Sequence, residues 1–311
     1  MKTKLFPEVQ PLRQGWLDVG DGHEVHWQAS GNPEGRPVVW LHGGPGSSAS
    51  PLHRRFFDPA LFWIIQFDQR GCGRSRPPGA IQHNRTEDLI ADIERLRDFL
   101  GLSRWSLVGG SWGGALGLLY AQAYPDRIER MLLRSPFLCT QAEIENFMEH
   151  PPEACRERWQ GLRALVAASS NQTILSYGHE VFCQGQDQQE QVRLAYAWAA
   201  YEAAMNVYPA QAPTLGALDE AALVARYRVQ SHYLAHKCFT AQNILTHAQA
   251  LQSIPLVLVH GDLDALCPFE NSLAIQRAAP HAKIIRVRGG GHDLTDPGML
   301  QASFQALEEW R

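Results

Sequence analysis

The stretch from Trp105 to Tyr120 constrains the fold more than any other part of this chain. It begins as a short apolar run, breaks at glycines around Ser111, and continues with residues that favour a helix. Glycines at 109 and 113 allow a tight turn from strand to helix, with the serine at its tip in a strained backbone conformation. The spacing Gly-x-Ser-x-Gly is typical of a nucleophile elbow, although it also occurs in ordinary glycine-rich turns. Ser111 is the candidate nucleophile, and Trp112 would open the helix with its N–H directed at charge developing beside the serine.

Strands and helices alternate on both sides of this turn. Apolar runs typical of buried strands lie at 37–41, 61–67, 130–134, 254–260 and 282–287. Such alternation predicts an α/β fold with a mostly parallel sheet and helices on both faces. From 139 to 253 the strand signal nearly disappears, and Ala, Gln, Glu and Leu predominate. We therefore predict a core formed by residues 1–138 and 254–311, interrupted by a lid of five or six helices at 139–253.

Composition excludes several classes of function for the 311 residues. The chain has 28 basic and 32 acidic residues without a basic stripe, so no nucleic-acid partner is expected. No apolar run reaches membrane-spanning length, so no membrane partner is expected either. The six widely spaced cysteines favour reduced thiols and a cytoplasmic protein. The thirteen histidines include no H-E-x-x-H motif, and the cysteines form no paired C-x-x-C, so we expect no metal site.

Two later loops supply the base and the orienting acid that a serine nucleophile needs. For an elbow in the middle of the chain, the expected order is serine, acid, histidine. Asp262 and Asp264 follow the run at 254–260, and His292 follows the next run after three glycines. Residues two apart in an extended loop face opposite sides, so only one aspartate should reach the histidine. We predict His292 as the base, and the loop alone leaves both aspartates open.

A glycine-rich loop after the run at 37–41 predicts the other half of an oxyanion hole. The run ends at His42-Gly43-Gly44-Pro45-Gly46, where the backbone can approach a substrate closely. We expect the backbone N–H of Gly44 to be one oxyanion donor and that of Trp112 to be the second. Three glycines and a proline directly after a buried strand indicate more than a plain turn.

Together, these segments resemble the proline iminopeptidase (prolyl aminopeptidase) family of the α/β-hydrolase fold. The resemblance is carried by 42–46, 68–75, 88–97, 109–114, His260-Gly261, Asp264, Cys267-Pro268, Gly291-His292 and 296–298. It covers nearly all of the predicted core and favours Asp264 over Asp262 as the acid. The resemblance implies an α/β-hydrolase fold, release of N-terminal proline from peptides, and no metal or organic cofactor.

The resemblance also implies how the substrate would be bound. The family holds the free amine with acidic lid residues and a backbone carbonyl of the glycine-rich loop, here that of Gly43, because a buried ammonium needs partners. The segment 197–202 is similar to the family's Trp-x-x-Trp-Glu, which makes Glu202 the amine-binding candidate. The second family glutamate corresponds to Gln230, which can accept a hydrogen bond but carries no charge. Two more positions match residues near the family's proline pocket: Phe137 and Cys267.

Three functions follow from these observations. The preferred one is a serine hydrolase that releases N-terminal proline, or another small residue, from short peptides or amides through an acyl-enzyme. Gln230 at the position of a family glutamate motivates a second, an esterase or amide hydrolase of the same fold without free-amine recognition. The third is a non-catalytic ligand-binding protein on this fold, against which the intact serine, acid and histidine set argues. The expected partner is a small peptide or amide substrate.

Overall fold

One eight-stranded sheet organises this computed structural model. The structure describes residues 5–169, 171–211, 213–240 and 243–311, so residues 1–4 of the predicted core lie outside the described residues. The strands are β1 (Arg13–Gly20), β2 (His23–Gly31), β3 (Arg36–Leu41), β4 (Phe62–Phe67), β5 (Trp105–Gly110), β6 (Ile128–Arg134), β7 (Leu256–Gly261) and β8 (Lys283–Val287). Their order in the sheet is β1-β2-β4-β3-β5-β6-β7-β8. The pairs β1-β2 and β2-β4 are antiparallel, and every other neighbouring pair is parallel. The predicted mostly parallel sheet is confirmed.

Helices cover both faces of the sheet. They are α1 (Pro51–Arg54), α2 (Thr86–Phe99), α3 (Trp112–Ala123), α4 (Gln141–Glu149), α5 (Arg156–Ser169), α6 (Ile174–Cys183), α7 (Gln188–Val207), α8 (Glu220–Ala235), α9 (Glu270–Ala278) and α10 (Pro297–Glu308). The sequence pattern predicts neither α1 nor α9. Both are short, and α9 begins directly after the turn at Cys267-Pro268, a segment whose pattern indicates a loop.

Strand β3 shows why apolar residues follow one another, and do not alternate with polar ones, in the middle of the predicted strands. Val39 and Leu41 belong to the hydrophobic cluster that includes residues of α2 and α3. Val38 and Trp40 belong to the opposite cluster, which includes residues of α10. Because successive side chains of a strand point to opposite faces, a strand covered on both faces must be apolar throughout.

The chain between β6 and β7 is helical wherever the structure describes regular secondary structure there. Helices α4 to α8 lie in this part of the chain, and their apolar side chains pack on one another. Trp198 of α7 is fully buried, and its ring centroid lies 5.6 Å from that of Tyr227 on α8 and 6.1 Å from that of Phe182 on α6. An inserted helical lid is thus part of the observed fold, whereas its limits at 139 and 253 stay a prediction. None of the described helices combines the length and apolar character needed to cross a bilayer.

The parallel strands bring the predicted site residues to one edge of the sheet. Strand β3 ends directly before His42, and β5 ends directly before Ser111. Strand β7 ends three residues before Asp264, and β8 ends five residues before His292. In α/β sheets, ligands bind at the carboxyl ends of the strands, because the loops that leave those ends converge there.

Candidate active site

The turn at Ser111 has the conformation that its glycines predict. Ser111 has φ 57° and ψ −124°, and helix α3 starts at the next residue. A Cβ atom at position 109 would lie 2.2 Å from the carbonyl oxygen of Gly113, and one at 113 would lie 2.2 Å from that of Leu41. Only glycine fits at either position, since such approaches are far below van der Waals contact. The serine is thereby held in a strained conformation with positive φ at the tip of a rigid turn.

The second half of the site is a hydrogen-bonded pair formed by His292 and Asp264. His292 Nδ1 donates to Asp264 Oδ2 at 2.7 Å, and Asp264 Oδ1 accepts the backbone N–H groups of Leu266 and Cys267 at 3.0 and 2.9 Å. Burial favours the neutral acid, but the charge and hydrogen bond of His292, together with the nearby ring of His260 at 3.6 Å, lower the pKa of Asp264 well below its ordinary value. The carboxylate is therefore ionised and fixes the orientation of the imidazole.

Asp262, two residues earlier, faces a different environment. It accepts hydrogen bonds from Arg286 Nε at 3.0 Å and from the backbone N–H of Gly289 at 2.7 Å. Chiefly through that backbone hydrogen bond, the pKa of Asp262 is lowered. The two aspartates thus point to opposite sides of the loop, and it is Asp264 that contacts His292.

The last of the three glycines before His292 lets the lid approach this loop. A Cβ atom at position 291 would lie 1.9 Å from the carbonyl oxygen of Tyr208, at the end of α7. The loop is also held from the sheet side, where the Arg134 guanidinium donates to the carbonyl oxygen of His292. The imidazole is therefore supported both by the core and by the lid.

A buried network positions the two backbone segments predicted to form an oxyanion hole. The Gln69 backbone N–H donates to His42 Nε2 at 3.0 Å, so His42 Nδ1 carries the proton and donates to the carbonyl of Gly43 at 2.9 Å. Trp112 Nε1 donates to Gln69 Oε1 at 2.8 Å, which links the loop to the start of α3. Burial lowers the pKa of His42, consistent with a neutral ring. Gly44 has φ +117°, a conformation that side chains rarely adopt.

A cavity of about 570 Å³ lies where the sheet edge meets the lid. Eight of the ten predicted site residues line it: Gly43, Gly44, Ser111, Phe137, Glu202, Gln230, Cys267 and His292. The other two, Asp264 and Trp112, are buried beside it.

Phe137 and Cys267 lie next to the serine. The backbone N–H of Phe137 donates to the carbonyl oxygen of Ser111 at 3.3 Å, and Cys267 Sγ lies 4.0 Å from Ser111 Oγ. Burial raises the pKa of the Cys267 thiol, so it is a neutral neighbour. Within the described residues, the Ser111 hydroxyl makes no hydrogen bond to His292.

Glu202 on α7 is the centre of a polar cluster in the roof of the cavity. The Arg226 guanidinium and the Tyr227 hydroxyl each donate to its Oε2 at 2.8 Å, and Gln230 Nε2 donates to its Oε1 at 2.7 Å. Because a carboxylate only accepts, the amide nitrogen of Gln230 must face Glu202. The amide oxygen of Gln230 is buried and has no partner among the described residues.

Comparison with known proteins shows the family to which the chain belongs. The family model described as the alpha/beta hydrolase fold matches residues 36–297. A proline iminopeptidase of Neisseria meningitidis serogroup A is 38% identical over 98% of both chains, and one of Xylella fastidiosa strain 9a5c is 36% identical over 100% of both. This chain belongs to the proline iminopeptidase family. A proline iminopeptidase-related protein of Thermus thermophilus, 22% identical over 96% of both chains, shares the fold with a TM-score of 0.59.

In this proline iminopeptidase homologue, Arg226 is the main cavity residue that the sequence pattern does not predict. It lies one helical turn before Gln230 on α8, so the i, i+4 spacing could have placed both on the same face. The charge of Glu202, more than any other group, raises the pKa of Arg226. The predicted amine-binding carboxylate is therefore already paired with a cation.

Carboxylates and histidines line the cavity of this family member, but those that the structure describes do not form a group that could hold a metal ion. Among the described residues, the one group of three or more metal-binding side chains lies elsewhere, on α6 and at the end of α8. It consists of His179, His232 and His236.

Proposed function

We propose that this chain is a serine aminopeptidase that releases N-terminal proline from short peptides and amides. Ser111 Oγ attacks the carbonyl carbon of the first residue while His292 takes the hydroxyl proton, and Asp264 stabilises the resulting imidazolium. The backbone N–H groups of Gly44 and Trp112 donate to the oxyanion, each contributing about 3 kcal/mol to transition-state stabilisation. His292 then gives its proton to the leaving amine, and water activated by the same histidine hydrolyses the acyl-enzyme.

Proton transfer requires Ser111 Oγ to come within hydrogen-bond reach of His292 Nε2. Both groups line the same cavity, and Asp264 already fixes the imidazole through Nδ1. Hydrogen bonds between catalytic groups are often long before substrate binds, because the substrate completes the site. We propose that the serine side chain rotates away from Cys267 to make this contact.

The amide oxygen of Gln230 is the observation that most favours a substrate with a free amine. It is a buried acceptor without a partner among the described residues, beside the carboxylate of Glu202. A carboxylate has about four lone-pair positions, of which three are used here by Arg226, Tyr227 and Gln230. One position on Glu202 can thus accept an N–H group of a prolyl ammonium, and the amide oxygen of Gln230 is proposed to accept the second after its side chain shifts toward the cavity. Because a prolyl ammonium has only two N–H groups, the carbonyl of Gly43 is proposed as an alternative acceptor for the second of them.

The experiment is a panel of arylamides of proline and alanine, with N-acetylproline arylamide and a short-chain aryl ester. We expect proline arylamide to have the highest kcat/KM and the acetylated substrate to be turned over at least about 100-fold more slowly, because it carries no ammonium for the roof of the cavity. A preference for the acetylated amide would reject free-amine recognition.

Glu202→Gln tests the same assignment within the protein. It should raise KM for proline arylamide by about 10-fold or more and leave ester turnover unchanged, because only the first substrate places a cation beside residue 202. Glu157→Gln, at an exposed position on α5, is the matched control and should change neither. Equal losses on both substrates in Glu202→Gln would show that this residue supports the fold instead.

The Arg226 ion pair favours a second candidate, an esterase or amide hydrolase that recognises no free amine. With Arg226 2.8 Å from Glu202, the roof of the cavity has little net negative charge to attract an ammonium. In the substrate panel, this candidate predicts that the aryl ester exceeds every arylamide in kcat/KM and that Glu202→Gln has no selective effect.

A catalytic triad and a cytoplasmic location are parts of the same proposal. Covalent labelling by a fluorophosphonate in the wild type, and its loss in Ser111→Ala, would test the nucleophile directly. The location is supported by the six cysteines, all of which are free thiols.

A further inference from the structure

Three histidines of the lid lie together, apart from the residues that line the catalytic cavity. His179 is on α6, His232 is in the last turn of α8, and His236 directly follows that helix. One ring nitrogen of each lies within 4.8 Å of a ring nitrogen of both others. His179 and His232 are partly buried and His236 is exposed, so solvent can reach the group.

Two backbone carbonyls determine the tautomers of His232 and His236. His236 Nδ1 lies 2.7 Å from the carbonyl oxygen of His232, and His232 Nε2 lies 3.2 Å from that of Asn84. Because a carbonyl oxygen only accepts, these two nitrogens are the donors in the neutral rings, and the other nitrogen of each ring keeps its lone pair. Metal-binding histidines commonly show this arrangement, in which a carbonyl orients the ring through the nitrogen that does not bind the metal.

We propose that His179, His232 and His236 bind one divalent transition-metal ion, with zinc as the representative. Imidazole nitrogens suit zinc, copper, nickel and cobalt, whereas magnesium and calcium prefer oxygen ligands. Zinc–nitrogen bonds of about 2.0–2.1 Å in a tetrahedral site place ligand nitrogens about 3.4 Å apart. Rotation of the His179 side chain is proposed to supply the closure from the observed separations, which are at most 4.8 Å. A water molecule would complete the coordination.

Such an ion would connect two lid helices and the core. It would join α6 to α8, and the hydrogen bond of His232 to Asn84 already joins α8 to the loop before α2. Tyr233 adds a second link, since its hydroxyl donates to Asn84 Oδ1 at 2.8 Å. An ion that binds only this folded arrangement stabilises it, because binding is linked to folding.

The test is calorimetric titration of the EDTA-treated, untagged protein with zinc chloride. We expect one zinc ion per chain and an affinity that falls at least about 10-fold in His179→Ala and in His236→Ala, since each removes one of three ligands. His247→Ala removes an exposed histidine outside the group and should bind zinc as the wild type does. Circular dichroism establishes that each variant is folded, and His236→Gln provides a second, milder change.

Thermal unfolding and cobalt absorption give independent readouts. Zinc at 100 times its Kd should raise the Tm of the wild type by about 5 °C and leave that of His179→Ala unchanged. Cobalt chloride should produce the visible absorption of a tetrahedral nitrogen site only in proteins that retain all three histidines. No saturable zinc binding, or binding that is equal in the wild type and both cluster variants, would overturn the proposal.

Discussion

At the scale of single residues, the chemistry of the site depends on the hydrogen-bond and ion-pair partner of each polar side chain. Asp264 and Asp262 are two positions apart, yet the first accepts from His292 and the second from Arg286. Glu202 carries a carboxylate, but the guanidinium of Arg226 lies 2.8 Å from it. The residue types alone therefore do not give the charge that a substrate would meet.

Asp264→Asn should lower kcat by about four orders of magnitude, because an amide at this position no longer stabilises the imidazolium and permits the wrong tautomer. Asp262→Asn is the matched control and should stay within about twofold of the wild type, since its contacts are to Arg286 and Gly289. Steady-state kinetics on proline arylamide measures both. A larger loss in Asp262→Asn would reverse the assignment of the acid.

Arg226→Met should lower KM for proline arylamide by at least about threefold, because it removes a positive charge next to the proposed ammonium site. Ester turnover should change little. Arg228→Met is the control on the same helix, because Arg228 donates to the carbonyl oxygen of Phe182. A rise in KM in Arg226→Met would mean that the ion pair positions Glu202, and would contradict this prediction.

At the scale of elements, glycines let separate segments come together at the sheet edge. Gly113 allows α3 to approach the end of β3, and Gly291 allows the His292 loop to approach the end of α7. The turn at Ser111 and the contact between the His292 loop and the lid thus have the same cause. In both places two backbone segments come this close because a glycine leaves no Cβ atom between them.

Gly291→Ala should destabilise the protein by about 1–3 kcal/mol and lower kcat/KM at least about 10-fold, because the added methyl group would overlap the Tyr208 carbonyl and displace the His292 loop. Gly161→Ala is the matched control in α5, where a Cβ atom meets nothing within 4 Å. It should be neutral or stabilising by up to about 1 kcal/mol. Urea unfolding and kinetics test both; unchanged activity in Gly291→Ala would show that the lid contact does not position His292.

At the scale of the whole molecule, the cavity lies between the sheet edge and helices inserted between two strands. Its walls combine residues from 42 to 295 along the chain. Enclosure also removes ionisable groups from water. His53 lines the cavity, its Nδ1 is buried without a partner among the described residues, and its ring stacks on Trp40 at 4.4 Å.

The stability of the fold should therefore depend on pH through His53. Burial, more than the charge of Arg134, lowers the pKa of His53 from 6.5 to about 3. At a pH between these two pKa values, the unfolded chain is protonated at His53 and the folded protein is not. The free energy of unfolding therefore falls as the pH falls below 6.5, by at most about 1.4 kcal/mol per pH unit. Urea unfolding at about pH 7.5 and about pH 5 should show a smaller loss in His53→Gln than in the wild type, by up to about 2 kcal/mol. His150→Gln, at an exposed position, should behave as the wild type.

The features that the sequence determined by itself are those that local backbone geometry or periodicity encodes. The turn at Ser111, the glycine-rich loop at Gly44 and the buried strands could be predicted because a missing Cβ atom or an apolar run restricts the local conformation directly. The lid was predicted as helices from composition, and five α-helices are described there. The order of serine, acid and histidine along the chain placed His292 at the sheet edge.

Only the tertiary structure decided which side chains meet. Three contacts join residues that are 24 to 57 positions apart in the sequence. They are the hydrogen bond between Asp264 and His292, the ion pair between Arg226 and Glu202, and the approach of His179 to His232 and His236. Only His232 and His236 are close in sequence, one helical turn from each other. The i, i+4 spacing of His232 and His236 was present in the sequence, but their partner on α6 was not predictable. Side-chain pairing over such separations depends on how helices pack, and a linear pattern does not carry that information.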